Sequence, residues 1–181
     1  MQSKIKKTKF RDIFISENNI FKDNRGYFCE IFNIKDKNFK KFQIKQINIS
    51  KSLKKNTFRG LHFQKGKNSQ GKILTVIKGS IFDYILCLKK KDHNFGKLIK
   101  VQLDDKKSNS IFVPKGYAHG FLTLENNTIV SYCVDKNYCK QSESGINIYD
   151  KSIKIRLPKK ITISKKDKFL PFFDKNKRYF L

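Results

Sequence analysis

The sequence predicts an all-β fold, either a sandwich or a barrel. Many short segments are rich in β-branched and aromatic residues, and turn-forming residues separate them. No long amphipathic helical pattern occurs before the C-terminal tail, and no internal repeat or low-complexity linker is evident. The length of 181 residues, with 17 Phe to build a core, predicts a single domain covering residues 1–181.

The strands expected from this pattern are short. In chain order they cover residues 12–21, 27–33, 42–50, 58–64, 72–77, 80–88, 97–103, 121–124 and 128–134. Residues 80–88 are apolar on both faces, which predicts a central strand, paired through the turn at 78–79 with residues 72–77. Segments 161–167 and 170–181 are expected to form a tail element.

The net charge of +26 is the strongest compositional signal. Such a charge suggests a nucleic acid or an anionic surface as partner. The lysines are dispersed along the chain, however, and Asn and Ile are also abundant, so a drift in composition explains the charge as well as a binding patch does. A nucleic-acid partner is therefore not expected, although a positive field would help to capture a small phosphorylated substrate.

Other compositional features indicate a cytoplasmic protein. The four cysteines, Cys29, Cys87, Cys133 and Cys139, contain no C-x-x-C pair and are expected to be reduced. No apolar run approaches the roughly 20 residues of a membrane span. The basic N-terminus is followed by no hydrophobic segment of the kind found in signal peptides.

Residues 57–64 contain the most informative combination, an Arg and a His three positions apart. The segment 58–64 is expected to be a strand, in which successive side chains alternate between the two faces. Arg59 and His62 would then face opposite ways, unless Gly60 marks a bulge that re-aims the strand. His62 is either a base held near neutral pKa among apolar neighbours or a core histidine satisfied by hydrogen bonds.

Polar residues inside other strands leave similar alternatives. Gln46, Asn48 and Ser50 share one face of their strand, which is either solvated or lines a ligand cavity. Glu30 is either a surface charge or a site residue paired with a cation. Asp83 is the lone carboxylate of an apolar strand, and we expect it to be a buried structural group or to support another residue.

The segment Pro114-x-Gly116-x-x-His119 resembles the second half-motif of the cupin barrels, in which a tight turn aims a His into the barrel mouth. The first cupin half-motif normally supplies His-x-His and a Glu. Here Gln64 stands at the position of the second His, so only two histidines can be assembled. Because zinc or iron needs three or four ligands, we expect no metal.

Five motifs together resemble the dTDP-4-dehydrorhamnose 3,5-epimerases, a cupin family of sugar-nucleotide metabolism. They are Arg25-Gly26-Tyr27-Phe28-x-Glu30, Gln46-x-Asn48-x-Ser50, Arg59-Gly60-Leu61-His62-x-Gln64, Val113-Pro114-x-Gly116-x-Ala118-His119-Gly120-Phe121 and Ser164-x-Lys166-Asp167. The resemblance runs from about residue 12 to residue 170. It implies a jelly-roll, double-stranded β-barrel with short C-terminal helical elements.

The resemblance also implies four catalytic residues. His62 would be the general base, and Asp167 would accept a hydrogen bond from its ring. Tyr132 would be the acid on the opposite face of the sugar. Lys72 would stabilise the enolate oxygen that forms from the C4 ketone.

Nine substrate-binding residues follow from the same resemblance. Those that would hold the diphosphate and sugar are Arg25, Glu30, Gln46, Asn48, Arg59 and His119. Tyr138 would stack on the nucleotide base, with Glu143 and Lys166 nearby. The family further implies a homodimer in which N-terminal strands cross to the partner and can bring Arg25 to its site.

The implied chemistry explains these residue types. A C4 ketone acidifies the hydrogens on C3 and C5, so a base can remove one and form an enolate. Protonation from the other face inverts the centre, which requires an acid and a base on opposite sides of the ring and no cofactor. The expected substrate is a nucleotide-diphosphate 4-keto-6-deoxy sugar for surface polysaccharide, inverted at C3, C5 or both.

Three alternatives remain at this stage. One is a GDP-linked 4-keto-heptose 3- or 3,5-epimerase, another is a catalytically inactive cupin that binds sugar nucleotides, and the third is a basic nucleic-acid-binding β-barrel. Departures from the family pattern leave the substrate open. Ile47 replaces a usual acidic residue, residues 147–150 lack a usual Trp, and Lys65-Gly66 lacks a usual Pro, and we expect these changes to affect the sugar and base pockets.

Overall fold

The computed structural model describes residues 3–180, and its regular secondary structure is almost entirely β-strand; Met1, Gln2 and Leu181, which belong to the expected domain and tail, lie outside it. Within residues 3–180 the strands are β1 (Lys4–Lys7), β2 (Phe14–Glu17), β3 (Asn19–Asp23), β4 (Gly26–Glu30), β5 (Gln46–Ser52), β6 (Thr57–Gln64), β7 (Lys72–Lys78), β8 (Ser80–Cys87), β9 (Leu98–Asp104), β10 (Asn109–Val113), β11 (Tyr117–Thr123), β12 (Thr128–Val134), β13 (Glu143–Gly145) and β14 (Thr162–Ile163). A four-residue helix, α1 (Lys165–Lys168), follows, and 3-10 turns cover Gly66–Asn68, Lys140–Ser142 and Lys151–Ile153. The all-β prediction is confirmed.

Two large sheets carry the fold. One has the strand order β1-β2-β10-β7-β12-β5, and the other has the order β13-β6-β11-β8-β9, with β14 added in parallel beside β6. A separate hairpin is formed by β3 and β4. Strand β8 lies between β11 and β9, and seven of its eight residues are buried, which confirms the central position predicted from its apolar faces. The predicted pairing of β8 with residues 72–77 is wrong, because the turn at 78–79 carries the chain from β7 in the first sheet to β8 in the second.

The main core fills the space between the two sheets. Leu74, Ile111 and Val130 of the first sheet pack with Ile81 and Ile85 of the second, and all five are almost fully buried. Complete burial of such a side chain contributes roughly 1.5–3 kcal/mol. This layer holds the sheets face to face and so fixes which residues meet across them.

Two further clusters cover the outer faces of the sheets. The C-terminal segment packs Ile146, Ile148 and Tyr179 against Phe58 and Leu61 of β6. The segment between β4 and β5 packs phenylalanines against the other sheet, namely Phe32, Phe39 and Phe42. The tail is thus held by apolar burial, although it forms only β14 and α1 as regular elements.

The structure differs from the sequence prediction at several strand ends. The single strand expected at 12–21 is broken at Asn18, a buried residue whose Nδ2 donates to Ser110 Oγ at 3.0 Å, because that side-chain contact turns the chain between β2 and β3. Strand β4 ends at Glu30 instead of residue 33, and β5 begins at Gln46 instead of residue 42. Strands β1 and β13 were not predicted, since neither shows an apolar alternation.

A β-bulge in β6 decides the orientation that the sequence left open. His62 lies opposite His119 and Arg59 lies opposite Phe121, so Gly60 and the next residue together face one residue of β11. The extra residue returns Arg59 and His62 to the same side of the sheet, and both line one cavity. Gly60 has φ +113°, and a Cβ there would lie 2.7 Å from the β11 backbone, so only glycine fits.

No helix in the described part of the chain combines the length and the apolar character needed to cross a bilayer.

Candidate active site

Two adjoining cavities form a cleft between the sheets. Their volumes are about 510 Å³ and about 140 Å³. The residues that line both are His62, Lys72 and Tyr132. These side chains therefore stand at the junction, where a ligand extending through the cleft must pass.

The strand register places these side chains on opposite walls. On one sheet, Tyr132 lies beside Asn48 of β5 and Leu74 of β7, while Lys72 lies opposite Val134, two positions further along β12. Because side chains two apart share a face, Tyr132 and Lys72 point to the same side. His62 comes from β6 of the other sheet. A ring held between the sheets would thus meet His62 on one face and Tyr132 on the other.

His62 is coupled to a buried carboxylate. Its Nε2 lies 2.8 Å from Asp167 Oδ1, and the Gly60 N–H donates to Asp167 Oδ2 at 3.0 Å. Burial alone would raise the pKa of Asp167, but the hydrogen bonds from His62 and Gly60 hold it below the ordinary value. An ionised Asp167 only accepts, so Nε2 of neutral His62 carries the proton and Nδ1 keeps the lone pair.

Asp167 is fixed by the start of helix α1. Ser164 is the N-cap residue, and its Oγ accepts the Asp167 N–H at 3.0 Å. The sequence carried a signal for this arrangement, since Ser-x-x-Asp is a capping pattern. Ser164 also lines the larger cavity, so its sequence motif contributes both to the cleft wall and to the position of the carboxylate.

The cleft sets the protonation of the other two junction residues. Burial lowers the pKa of Lys72 to about 8, against the opposing effect of the negative charges of Asp83 and Glu143. Burial raises the pKa of Tyr132 above its ordinary value, so its phenol is protonated at neutral pH. At pH 7 the cleft therefore contains a cationic amine and a neutral phenol.

A second histidine–aspartate pair lies beside the first. His119 faces His62 across β11 and β6, and its Nε2 lies 2.7 Å from Asp83 Oδ1. Asp83 is fully buried and lines neither cleft cavity, whereas His119 lines the larger one. Asp83 therefore lies behind His119 and orients its ring toward the cleft.

One end of the cleft holds a linked set of three side chains. Glu143 accepts hydrogen bonds from Tyr138 Oη at 2.8 Å and from Lys166 Nζ at 2.5 Å. Burial would raise the pKa of Glu143, but these two donors hold it below its ordinary value. Tyr138 and Glu143 line the smaller cavity, and Lys166 lines the larger one. The set therefore brings together the three residues expected around the nucleotide base.

Two glutamines hold the loop that carries Tyr138. Gln46 Oε1 accepts the Tyr138 N–H at 2.9 Å, and Gln64 Oε1 accepts the Cys139 N–H at 2.6 Å. Gln46 also donates to Asn48 Oδ1 at 2.7 Å, which places both side chains at the smaller cavity. The sequence marks Gln64 as part of the family motif and as an absent metal ligand, but its positioning role depends on contacts distant in sequence that no local pattern reveals.

Arg59 projects along the wall of the larger cavity. Its Nε donates to Ser52 Oγ at 3.1 Å, and a terminal nitrogen donates to the Lys51 carbonyl at 2.9 Å. Both partners belong to β5, so the contact links the two sheets at the cleft edge. The guanidinium retains donors for an anionic ligand.

Two expected binding residues do not reach the cleft of their own chain. Arg25 lies at the tip of the β3–β4 hairpin, where its side chain is 85% exposed and pairs with Asp23 at 2.6 Å. Glu30 accepts a hydrogen bond from Asn33 at 3.2 Å at the end of β4. Neither lines a cleft cavity, so a single chain does not assemble the whole expected set.

The departures from the family pattern line neither cleft cavity of a single chain, and the expectation that they alter the sugar and base pockets stays a prediction. Ile47 is 63% exposed and points away from Gln46 and Asn48, because side chains alternate along β5. Ile148 packs in the cluster under the tail, and Tyr149 is exposed. Residues 65–66 line neither cleft cavity.

No group of three His, Cys, Asp or Glu side chains that could hold a metal ion occurs among residues 3–180. The expectation of a metal-free protein stays a prediction.

Comparisons with known proteins identify the family. The family model for dTDP-4-dehydrorhamnose 3,5-epimerase matches residues 7–175. The chain is 36% identical to the enzyme of that name from Salmonella typhimurium, over 93% of this chain and 94% of the relative. It is 38% identical to the one from Methanothermobacter thermautotrophicus, over 90% of each chain.

Solved structures agree with the sequence comparisons. The Bacillus anthracis dTDP-4-dehydrorhamnose 3,5-epimerase with TDP and PPi bound superposes with a TM-score of 0.89 at 36% identity, covering 94% of this chain and 99% of the other. A Legionella pneumophila 3,5-epimerase in complex with dTDP-4-keto-L-rhamnose gives a TM-score of 0.85 at 28% identity, covering 96% and 100%. The jelly-roll barrel expected from the resemblance is confirmed, and the chain belongs to the dTDP-4-dehydrorhamnose 3,5-epimerase family.

Proposed function

We propose that the protein is a cofactor-independent epimerase that inverts C3 and C5 of a dTDP-linked 4-keto-6-deoxy sugar. The observation that carries this proposal is the junction of the two cavities, which His62 approaches from one sheet and Tyr132 and Lys72 from the other. Family membership supports the substrate class, since relatives of known structure are described with TDP and with dTDP-4-keto-L-rhamnose. No observation favours the GDP-heptose or nucleic-acid alternatives.

The reaction would begin with proton removal by His62. Its Nδ1 lone pair takes a proton from the carbon beside the C4 ketone. The positive charge that forms on the His62 imidazole is stabilised by ionised Asp167. The electron pair of the broken C–H bond moves to the C4 oxygen and gives an enolate. The Lys72 ammonium, partly withdrawn from water, stabilises that oxygen.

Reprotonation would come from the opposite sheet. The Tyr132 phenol gives its proton to the carbon from the face away from His62, which inverts the centre and restores the ketone. A raised pKa keeps this phenol protonated before the step, and the positive charge of Arg59 opposes that rise. A proton lost from Tyr132 and one gained by His62 are then exchanged with solvent, so no co-reactant is consumed.

The remaining cleft residues would hold the nucleotide and sugar. Tyr138 offers an aromatic face for the base beside Glu143 and Lys166. Gln46, Asn48, Arg59 and His119 supply polar groups along the walls for the sugar and the diphosphate.

We further propose a homodimer in which the β3–β4 hairpin of one protomer completes the cleft of the other. The hairpin exposes Phe21, Tyr27 and Phe28, an apolar surface that a lone chain leaves in water. Strand β5 is the edge of its sheet within residues 3–180, and its outer face exposes Ile47 and Ile49. A hairpin docked on this edge would bring its Arg25 and Glu30 toward Gln46 and Asn48 of the partner. This arrangement accounts for the distance of Arg25 and Glu30 from the cleft of their own chain.

Residues 1–181 would form one such epimerase domain, and the cytoplasmic location expected from the sequence stays a prediction.

Hydrogen exchange during turnover tests the reaction. Incubation with dTDP-4-keto-6-deoxyglucose in D₂O should place deuterium at both C3 and C5 in the NMR spectrum. His62→Ala should lower exchange about 10²–10⁴-fold with dTDP binding retained, because only the base is removed. The matched control is His93→Ala, an exposed histidine outside the cleft, which should keep wild-type exchange.

Other outcomes would contradict the proposal at different points. Deuterium at C3 alone would limit the reaction to one centre, and no exchange would leave a binding protein. Near wild-type exchange in His62→Ala would show that another residue is the base.

The pKa of Lys72 predicts an alkaline limit to activity. Because burial lowers this pKa to about 8, the ammonium that stabilises the enolate is lost as the pH rises through that value, and kcat should fall. Lys72→Arg keeps its positive charge at higher pH. The residual activity of this variant should therefore fall at a higher pH than the activity of the wild type does. Lys78→Arg, at the other end of β7, serves as control and should leave the pH profile unchanged. An identical alkaline limb in Lys72→Arg and wild type would refute this role.

Mixing two inactive variants tests whether Arg25 acts across the dimer. Arg25→Ala and His62→Ala should each be nearly inactive alone. Random reassortment of protomers in an equal mixture of the two variants should restore about a quarter of wild-type activity. The recovery arises because one site of each mixed dimer has an intact His62 and the partner's intact Arg25. Absence of recovery, with mixed dimers verified by mass spectrometry, would place Arg25 outside the partner's site.

A further inference from the structure

A large cavity lies apart from the catalytic cleft. Its volume is about 550 Å³, similar to that of the larger cleft cavity and within the range of small-molecule sites. Its walls come from residues 88–91 after β8, residues 115–116 before β11, residues 178–180 of the tail, and Ser69. None of these residues lines the cavities around His62.

Cationic side chains surround this cavity. They are Lys89, Lys90, Lys91, Lys115 and Arg178, and no carboxylate of residues 3–180 lines the wall. Lys89 pairs with Asp12, and Lys115 pairs with Asp135 at 3.3 Å. Within residues 3–180, Lys91 and Arg178 form no ion pair. The cavity thus has more positive charge than its neighbours neutralise.

The wall also has an apolar part and a buried hydroxyl. Leu88, Tyr179 and Phe180 contribute apolar surface, and the first two are almost fully buried. Ser69 is only 8% exposed, and its Oγ has no hydrogen-bond partner among the described residues. A buried hydroxyl without a partner is unfavourable, and a ligand oxygen beside it would remove that cost.

The arrangement is not what a drift in composition alone would produce. Drift scatters lysines over the surface, where each is solvated separately. Here the fold gathers cations from residues 89–91, 115 and 178 around one partly open pocket with an apolar wall. Lysine and arginine donors suit phosphate oxygens, and the apolar wall suits a ring that is not itself charged.

We propose that this cavity binds a nucleoside polyphosphate, with the phosphates at Lys91 and Arg178 and the nucleoside against the apolar wall. An inorganic anion would use only the cations. A nucleic-acid strand would need a continuous basic groove with stacking aromatics, whereas these cations converge on a single pocket of limited volume.

Calorimetric titration with ATP at fixed salt concentration tests the site. The double variant Lys91→Ala/Arg178→Ala should weaken ATP binding about 10-fold or more, because two charged donors are lost. Lys159→Ala/Lys160→Ala removes the same charge from exposed positions outside the cavity and should change the affinity less than about twofold. The epimerase kcat/KM of both variants should match wild type, since neither touches the cleft.

Three results would overturn the proposal. ATP could bind the Lys91→Ala/Arg178→Ala variant as tightly as wild type, which would assign all nucleotide binding to the cleft. Inorganic triphosphate could bind as tightly as ATP, so that the apolar wall would contribute nothing. Both double variants could lose affinity for ATP and for single-stranded DNA equally, which would make the attraction a general effect of charge.

Discussion

The candidate site depends on one local constraint, the β-bulge that sets β6 against β11. Without the extra residue at Gly60, strict alternation would turn either Arg59 or His62 into the apolar layer beneath the tail. The bulge lets both reach the cleft while Leu61 stays buried beside Phe58. It also aims the Gly60 N–H at Asp167, so a single backbone irregularity orients His62 and supports the carboxylate that His62 contacts.

The proposed reaction requires an acid and a base on opposite faces of one ring, and the two-sheet architecture supplies side chains on two opposite walls. Strand β6 belongs to one sheet, and β7 and β12 belong to the other, and a core of aliphatic side chains holds them together. Each strand presents every second side chain to the space between, so no mobile loop is needed to place His62, Lys72 or Tyr132. Packing energy that stabilises the barrel therefore also fixes the distances between these three side chains.

Much of the fold and of the candidate site could be predicted from the sequence, because local patterns carry the signal. Strand β8 is apolar on both faces, and the polar face of Gln46 and Asn48 was visible as a period of two. Roles for His62, Tyr132 and Lys72 came from a family resemblance, and the structure brings the three together, though their roles stay proposals.

The features that could not be predicted from the sequence depend on contacts between distant segments of the chain. The break at Asn18 needs Ser110, and the positioning role of Gln64 needs the backbone of Cys139. Ile47 lies between two residues that line the smaller cavity, but alternation along β5 turns its side chain to solvent in the single chain. The family resemblance places Arg25 at the cleft, whereas in the single chain it lies exposed on the β3–β4 hairpin and pairs with Asp23.

The most direct test of opposed proton transfer is the stereochemistry of a Tyr132→Phe variant in D₂O. His62 would still remove the proton and, without the phenol, return deuterium to the same face. We therefore expect NMR to show deuterium incorporated beside the ketone with the configuration retained and almost no inverted sugar. Inversion at a rate close to that of the wild type would contradict the account, because the second proton would then come from a group other than Tyr132.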